Sequence, residues 1–293
     1  MRILFLGILF SFFVAALQAQ DLREAISTIV EQAEGKVGVG VLNVQRSEPV
    51  YWNENHRFPM QSVFKFPLAL AVLDRVDKGE LDLQQVVPIT RADLPPHTWS
   101  PIRDKYPSGD FTLTVSELLQ YTVSQSDNNG CDLLFRLLGG PARVDAYIKK
   151  WVPEGIAIVA DEAKMATAWE VQFGNYATPV AMSRLFQQFY AGQILSAGST
   201  AYLKQILLET NTCTACMKGL LPEGARVAHK TGRSATNAQG ITAATNDAGV
   251  LLLPNGQEVV VVVFVGDSPA DDRTREGIIA QVSRAVWDHY LQK

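Results

Sequence analysis

AATNDAGVLLLPNGQEVVVVVFVGD (residues 243–267) consists of two β-rich segments on either side of Pro254, Asn255 and Gly256. Those three residues are strong hairpin chemistry, so the segments read as neighbouring antiparallel strands. Working outward, RVAHKT (226–231) is another β-rich segment, while KVGVGVLNV (36–44) and PVYWN (49–53) read as a hairpin near the other end of the chain. EGIIAQVSRAVWDHYLQ (276–292) closes the chain as a helix. Residues 21–34 form an amphipathic helix with Leu22, Ile26, Ile29 and Ala33 on one face. Between these ends, from about Gln61 to Glu209, helical patterns broken by proline and glycine dominate. One of them, TVSELLQYTV (114–123), opens with a capping box of Thr114 and Glu117. Helix, strands, many helices, strands, helix predicts an α/β (α+β) fold in which the chain ends build one antiparallel sheet flanked by helices, beside an all-helical lobe. The expected division is a sheet lobe from residues 20–60 and 210–293 and a helical lobe from 61–209, intertwined as one unit with a small-molecule cleft between them.

MRILFLGILFSFFVAALQA (1–19) has one arginine, an almost unbroken apolar run and small residues at its end, the layout of a cleavable secretory signal. The run from Ile3 to Leu17 is short for a bilayer span, so cleavage is favoured over a retained anchor. The chain is therefore expected to be secreted, into the periplasm, with no membrane association after cleavage. Basic residues number 26 against 30 acidic, with no long run of either sign, and nothing points to nucleic acid. With three cysteines, Cys131, Cys213 and Cys216, a disulfide scaffold is excluded. Cys131 reads as a buried thiol, and CTAC (213–216) as either a local disulfide or two free thiols. The four histidines are scattered, so no metal site is expected.

Chemistry begins in PMQSVFKFPLALAVLDRV (59–76), a helix apolar on nearly every side that nevertheless carries Lys65. A buried ammonium needs a partner or a lowered pKa. Ser62, three positions earlier on the same face and near the helix N-terminus, suits a serine nucleophile activated by that lysine. A second group is Ser126, Asp127 and Asn128: a hydroxyl to pass a proton, a carboxylate to fix the turn, and an amide to hold a carbonyl. A third is Lys230, Thr231 and Gly232, a cation and a hydroxyl able to bind a carboxylate beside a glycine that lets substrate approach the backbone. Each group alone is commonplace; together, in this order, they are specific.

SVFK, SDN and KTG resemble the ordered motifs of the serine penicillin-recognising enzymes, and in particular of class A β-lactamases. The resemblance spans nearly the whole mature chain. It implies that Ser62 is acylated by a β-lactam, that either Lys65 or Glu162 through water takes its proton, and that Ser126 relays a proton with Lys230 nearby. It also implies an oxyanion hole from the backbone N–H groups of Ser62 and Arg233, an aromatic cleft wall at Trp99, and substrate contacts from Asn128, Thr231, Gly232 and Arg233. No cofactor is implied; the partner is a small-molecule β-lactam, and a monomer is expected.

Glu162, in DEAKMA (161–166), lies 36 residues after Ser126 and 68 before Lys230, intervals that resemble those of the class A deacylating base. A D-alanyl-D-alanine peptidase or a β-lactam sensor that stays acylated would have no task for it. Three departures from the common class A pattern stand out. Ala166 replaces an asparagine that helps to hold the hydrolytic water. Ala160 and Asn175 replace an arginine and an aspartate that clamp the loop, so an altered loop fold is expected, as in a divergent, extended-spectrum, cephalosporin-hydrolysing branch. Gln239 and Cys216 occupy the positions of a helper arginine; Arg273 or Arg275 is a substitute, although an arginine at a helix start reads first as a surface residue.

Overall fold

The computed structural model of the protein describes residues 21–46 and 49–292, so the segment read as a secretory signal lies outside the described residues. In chain order the elements are α1 (residues 21–30), β1 (Lys36–Asn43), β2 (Val50–Trp52) and β3 (Phe58–Pro59), then α2 (Lys65–Asp77), β4 (Val86–Ile89), α3 (Pro101–Lys105) and β5 (Phe111–Thr114). There follow α4 (Val115–Ser124), α5 (Asn128–Leu138), α6 (Pro141–Ile148), β6 (Ile156–Ala157), α7 (Glu162–Met165), β7 (Tyr176–Ala177), α8 (Pro179–Tyr190) and α9 (Ala197–Leu208). The chain ends with β8 (Arg226–Arg233), β9 (Thr242–Leu252), β10 (Glu258–Ser268) and α10 (Asp272–Leu291).

The hairpin of β9 and β10 lies in a five-stranded antiparallel sheet of order β2-β1-β10-β9-β8. Successive side chains of a strand point to opposite faces, and the valine run of β10 divides accordingly. Val259, Val261, Val263 and Val265 pack with Ile278, Ile279, Val282 and Val286 of α10 and with Leu22 and Ile26 of α1. Val260, Val262 and Phe264 join the larger core, which includes α2 and α8. An unbroken apolar strand is thus what a sheet covered on both faces requires.

The middle of the chain surrounds α2, whose residues from Lys65 to Leu73 are all buried. Phe66 stacks on Phe186 of α8, ring centroids 3.8 Å apart, and meets Phe189 edge-on. Short strands accompany these helices: β3, β7 and β6 form one small sheet, β4 and β5 another. Strands of two residues are below the length at which an alternating pattern can register, so they left no mark in the sequence. Phe66→Ala should therefore lower the unfolding free energy by about 3–5 kcal/mol, measured by urea titration; a loss under about 1 kcal/mol would show that the stack is not packed as described.

Candidate active site

Ser62 sits in a single 3-10 turn, Gln61–Phe64, that runs directly into α2, with Lys65 as the helix's first residue. Residues three apart eclipse in such a turn, which aligns the two side chains. Lys65 is fully buried, and its Nζ lies 3.1 Å from Ser62 Oγ, 2.8 Å from the Ser126 carbonyl oxygen, 2.5 Å from Asn128 Oδ1 and 2.8 Å from Glu162 Oε1. Burial of the ammonium is thus matched by four oxygens, one of them charged. Gln61 and Ser126 both adopt left-handed backbone angles, φ 49° and 60°, that non-glycine residues seldom take. Strain of this kind collects where side chains must be held in one place.

The second group closes on the same point. Asp127 caps α5: its carboxylate accepts from Gly130 N at 2.7 Å, Ile102 N at 2.7 Å and Ser100 Oγ at 2.9 Å, which fixes the turn as expected. Asn128 donates through Nδ2 to Thr98 Oγ1 at 2.7 Å, so its amide is oriented from both ends. From β8, Lys230 donates to Ser126 Oγ at 2.9 Å and to the Thr231 carbonyl at 2.9 Å. Complete burial pushes the Lys230 pKa well below the ordinary lysine value, and the neighbouring Lys65 pushes the same way. Gly232 lies against the Ser62 turn: a Cβ there would come within 2.5 Å of the Met60 carbonyl and 3.1 Å of Ser62 N. Only glycine allows β8 to approach so closely.

Glu162 opens α7, and the loop around it is held by one neutral amide, Asn175, and one half-buried acid, Asp132. Asp132 of α5 accepts the backbone N–H of Glu162 at 2.8 Å and of Ala163 at 2.9 Å. Asn175, where an aspartate would have met an arginine, accepts from Val159 N at 2.7 Å and Ala160 N at 3.0 Å, and donates to the Ala160 carbonyl at 2.7 Å. The loop that cannot form its ion pair is closed instead by three hydrogen bonds to one side chain. Asp132 was invisible to motif reasoning; an acid one helical turn after Asn128 was its only signal.

A cleft of about 640 Å³ is lined by Ser62, Trp99, Ser126, Asn128, Thr231, Gly232 and Arg233; Glu162 and the fully buried Lys65, Asp127 and Lys230 are not part of its lining. Trp99 stands exposed on one wall, its Nε1 donating to the Gln125 carbonyl at 2.9 Å. Cys213 and Cys216, which form a disulfide, belong to the facing wall, whereas Cys131 is free and buried. Thr212 and Thr231 share a hydroxyl contact at 2.6 Å. The Arg233 side chain turns toward α10, 2.8 Å from Asp272 and in contact with Glu276. Arg275 corrects the surface reading: it is only 4 % exposed and donates from Nε to Thr245 Oγ1 at 2.9 Å, directly behind a residue of the cleft.

The model of the β-lactamase enzyme family matches residues 21–290. The chain belongs to the β-lactamase enzyme family. Within it the chain is of class A. It is 44% identical over 284 residues to extended-spectrum β-lactamase PER-1 of Pseudomonas aeruginosa, covering 97% of this chain and 92% of that one. With β-lactamase VEB-1 of the same organism it shares 41% identity over 290 residues, 98% and 96% of the two chains. The crystal structure of TLA-3 extended-spectrum β-lactamase superposes with a TM-score of 0.91 at 45% identity, covering 93% and 99%. Among the described residues no helix is long and apolar enough to cross a membrane.

Burial raises the Asp132 carboxyl to about 7, with Asp161 and Glu162 adding to the rise and the two N–H donors opposing it. The unfolded chain releases that proton near the ordinary value of 3.8, so between the two values the folded state holds the extra proton, and stability falls as pH rises through that window. Compared with Asp132→Asn, the wild type should lose about 2 kcal/mol more unfolding free energy between about pH 5 and about pH 8, measured by urea titration. Parallel pH profiles would show that Asp132 retains no proton.

Proposed function

We propose that the protein hydrolyses the β-lactam amide bond of penicillins and cephalosporins through an acyl-enzyme on Ser62, and thereby confers β-lactam resistance. The observation that carries this reading is that one buried lysine touches both the nucleophile and a carboxylate: Lys65 Nζ is 3.1 Å from Ser62 Oγ and 2.8 Å from Glu162 Oε1. Ser62 Oγ attacks the lactam carbonyl, and its proton passes to Lys65, once that amine has handed a proton to Glu162, or to Glu162 through water. The backbone N–H groups of Ser62 and Arg233 stabilise the oxyanion. As the C–N bond breaks, Ser126 gives its proton to the leaving nitrogen and is resupplied from Lys230, 2.9 Å away. Thr231 meets the substrate carboxylate, with the Lys230 amine buried behind it; Asn128 orients the side-chain amide, Trp99 walls the cleft, and Gly232 leaves the backbone open to the ligand.

Deacylation then requires a base for water, and the contact of Glu162 with Lys65 beside Ser62 supports Glu162 in that role. That separates hydrolysis from permanent acylation and from peptidase chemistry, neither of which gives Glu162 work. The apolar leader of residues 1–19 supports export to the periplasm, where the chain acts as a monomer on a small-molecule substrate. No step of this scheme calls for a metal or an organic cofactor.

The protein should give many turnovers of a chromogenic cephalosporin, whereas a single stoichiometric burst would identify a sensor. Glu162→Ala should remain able to acylate but deacylate at least about a hundredfold more slowly, so that the adduct is visible by intact mass. An unchanged deacylation rate would remove Glu162 from the role of base.

A further inference from the structure

Beside the reactive centre, and sharing Asn128 and Glu162 with it, lies a smaller cavity of about 220 Å³. Ala166 and Asn129 both line it. Ala166 offers a methyl group where deacylation would be served by a second polar side chain. Asn129 is the converse: it is 3 % exposed, and its Nδ2 is buried without a hydrogen-bond partner among the described residues. An unsatisfied buried donor costs about 1–3 kcal/mol, and buried amides are nearly always satisfied, by water where protein does not serve. A water occupies about 30 Å³, so the cavity has room for one or more. Carboxylates able to accept from that water, Glu162 and Asp132, line the same space.

We propose that Asn129 is a positioning residue for deacylation, holding the hydrolytic water through Nδ2 in the cavity opened by Ala166. This rests on the acyl-enzyme reading above. Asn129 follows Asn128 on α5, so the helix that orients the Lys65 ammonium also presents the donor that aims the water. The water gives its proton to Glu162 while its oxygen bonds to the acyl carbon. The bond from that carbon to Ser62 Oγ breaks, and the proton returns from Glu162 through Lys65 to Ser62. Asn129 touches only the water, and neither gains nor loses a proton.

The test measures acylation and deacylation separately by rapid mixing with a chromogenic cephalosporin. Asn129→Leu should slow deacylation about a hundredfold, the loss expected when a reactant is misplaced by an ångström, while acylation stays within about twofold. Adding Ala166→Asn to that variant brings an amide in from the other wall and should restore deacylation; a double variant as slow as Asn129→Leu would overturn the proposal. Unchanged deacylation in Asn129→Leu, or equal losses in both steps, would also overturn it. If Asn129→Leu does not fold, Ala166→Leu fills the same space from an exposed position and must give the same deacylation-specific loss. Wild-type protein that never deacylates would refute the hydrolase reading itself. Turnover that is trapped by Glu162→Ala but indifferent to Asn129 would refute only this inference.

Discussion

The buried ammonium of Lys65 is the constraint around which the site is arranged. An unpaired charge in that position would cost several kcal/mol, and the four oxygens that surround it come from four separate places in the chain. Ser62 arrives through the 3-10 turn, the Ser126 carbonyl through a left-handed residue at the end of α4, Asn128 from the first turn of α5, and Glu162 from α7. Satisfying one charge therefore brings Ser62, Ser126, Asn128 and Glu162 together. Loss of any one oxygen partner would leave a buried ammonium short of a contact.

Ser126 shows how tightly the parts are shared. Its carbonyl accepts from Lys65 and its hydroxyl from Lys230, so two buried lysines meet at one residue. Their mutual repulsion, added to burial, lowers the Lys230 pKa and favours giving up a proton toward the serine. Ser126 makes both contacts from a left-handed backbone, φ 60°. On the other side of β8, His229 pairs with Asp247 at 2.8 Å, both without exposure, so the strand bearing Lys230 is anchored from behind.

How far the chain could be read before its structure depended on whether the determining feature was local. The hairpin around Asn255 and Gly256, the amphipathic ends and the buried lysine each express themselves within a few residues, and they were legible. The spacing between motifs singled out Glu162, and the structure brings that residue within 2.8 Å of Lys65. Asp132 and Asn175 were not legible as a pair of supports, since their partners are backbone groups far along the chain and any sequence supplies backbone N–H. Arg275 illustrates the opposite failure: its position at a helix start suggested solvent, but contacts with Thr245, Ala270 and Asp272 bury it. CTAC was open between thiols and a disulfide because pairing depends on geometry that spacing alone does not set.

Exchanging an ion pair for Asn175 alters more than the shape of the loop. An arginine–aspartate clamp holds a loop by charge, and its strength would follow salt and the ionisation of the acid. The amide of Asn175 has no ionisation to lose and closes the loop by hydrogen bonds alone. The charge has moved inward to Asp132, which holds the very backbone groups from which the Glu162 side chain springs. Because burial raises that carboxyl to about 7, this pH-sensitive contact of the loop lies at the backbone of Glu162 and not at the loop's ends. A protonated Asp132 keeps one carboxyl oxygen as a full acceptor and turns the other into a donor facing an N–H, so the grip on α7 weakens on the acidic side. The backbone of Glu162 is then held most firmly where Asp132 is ionised.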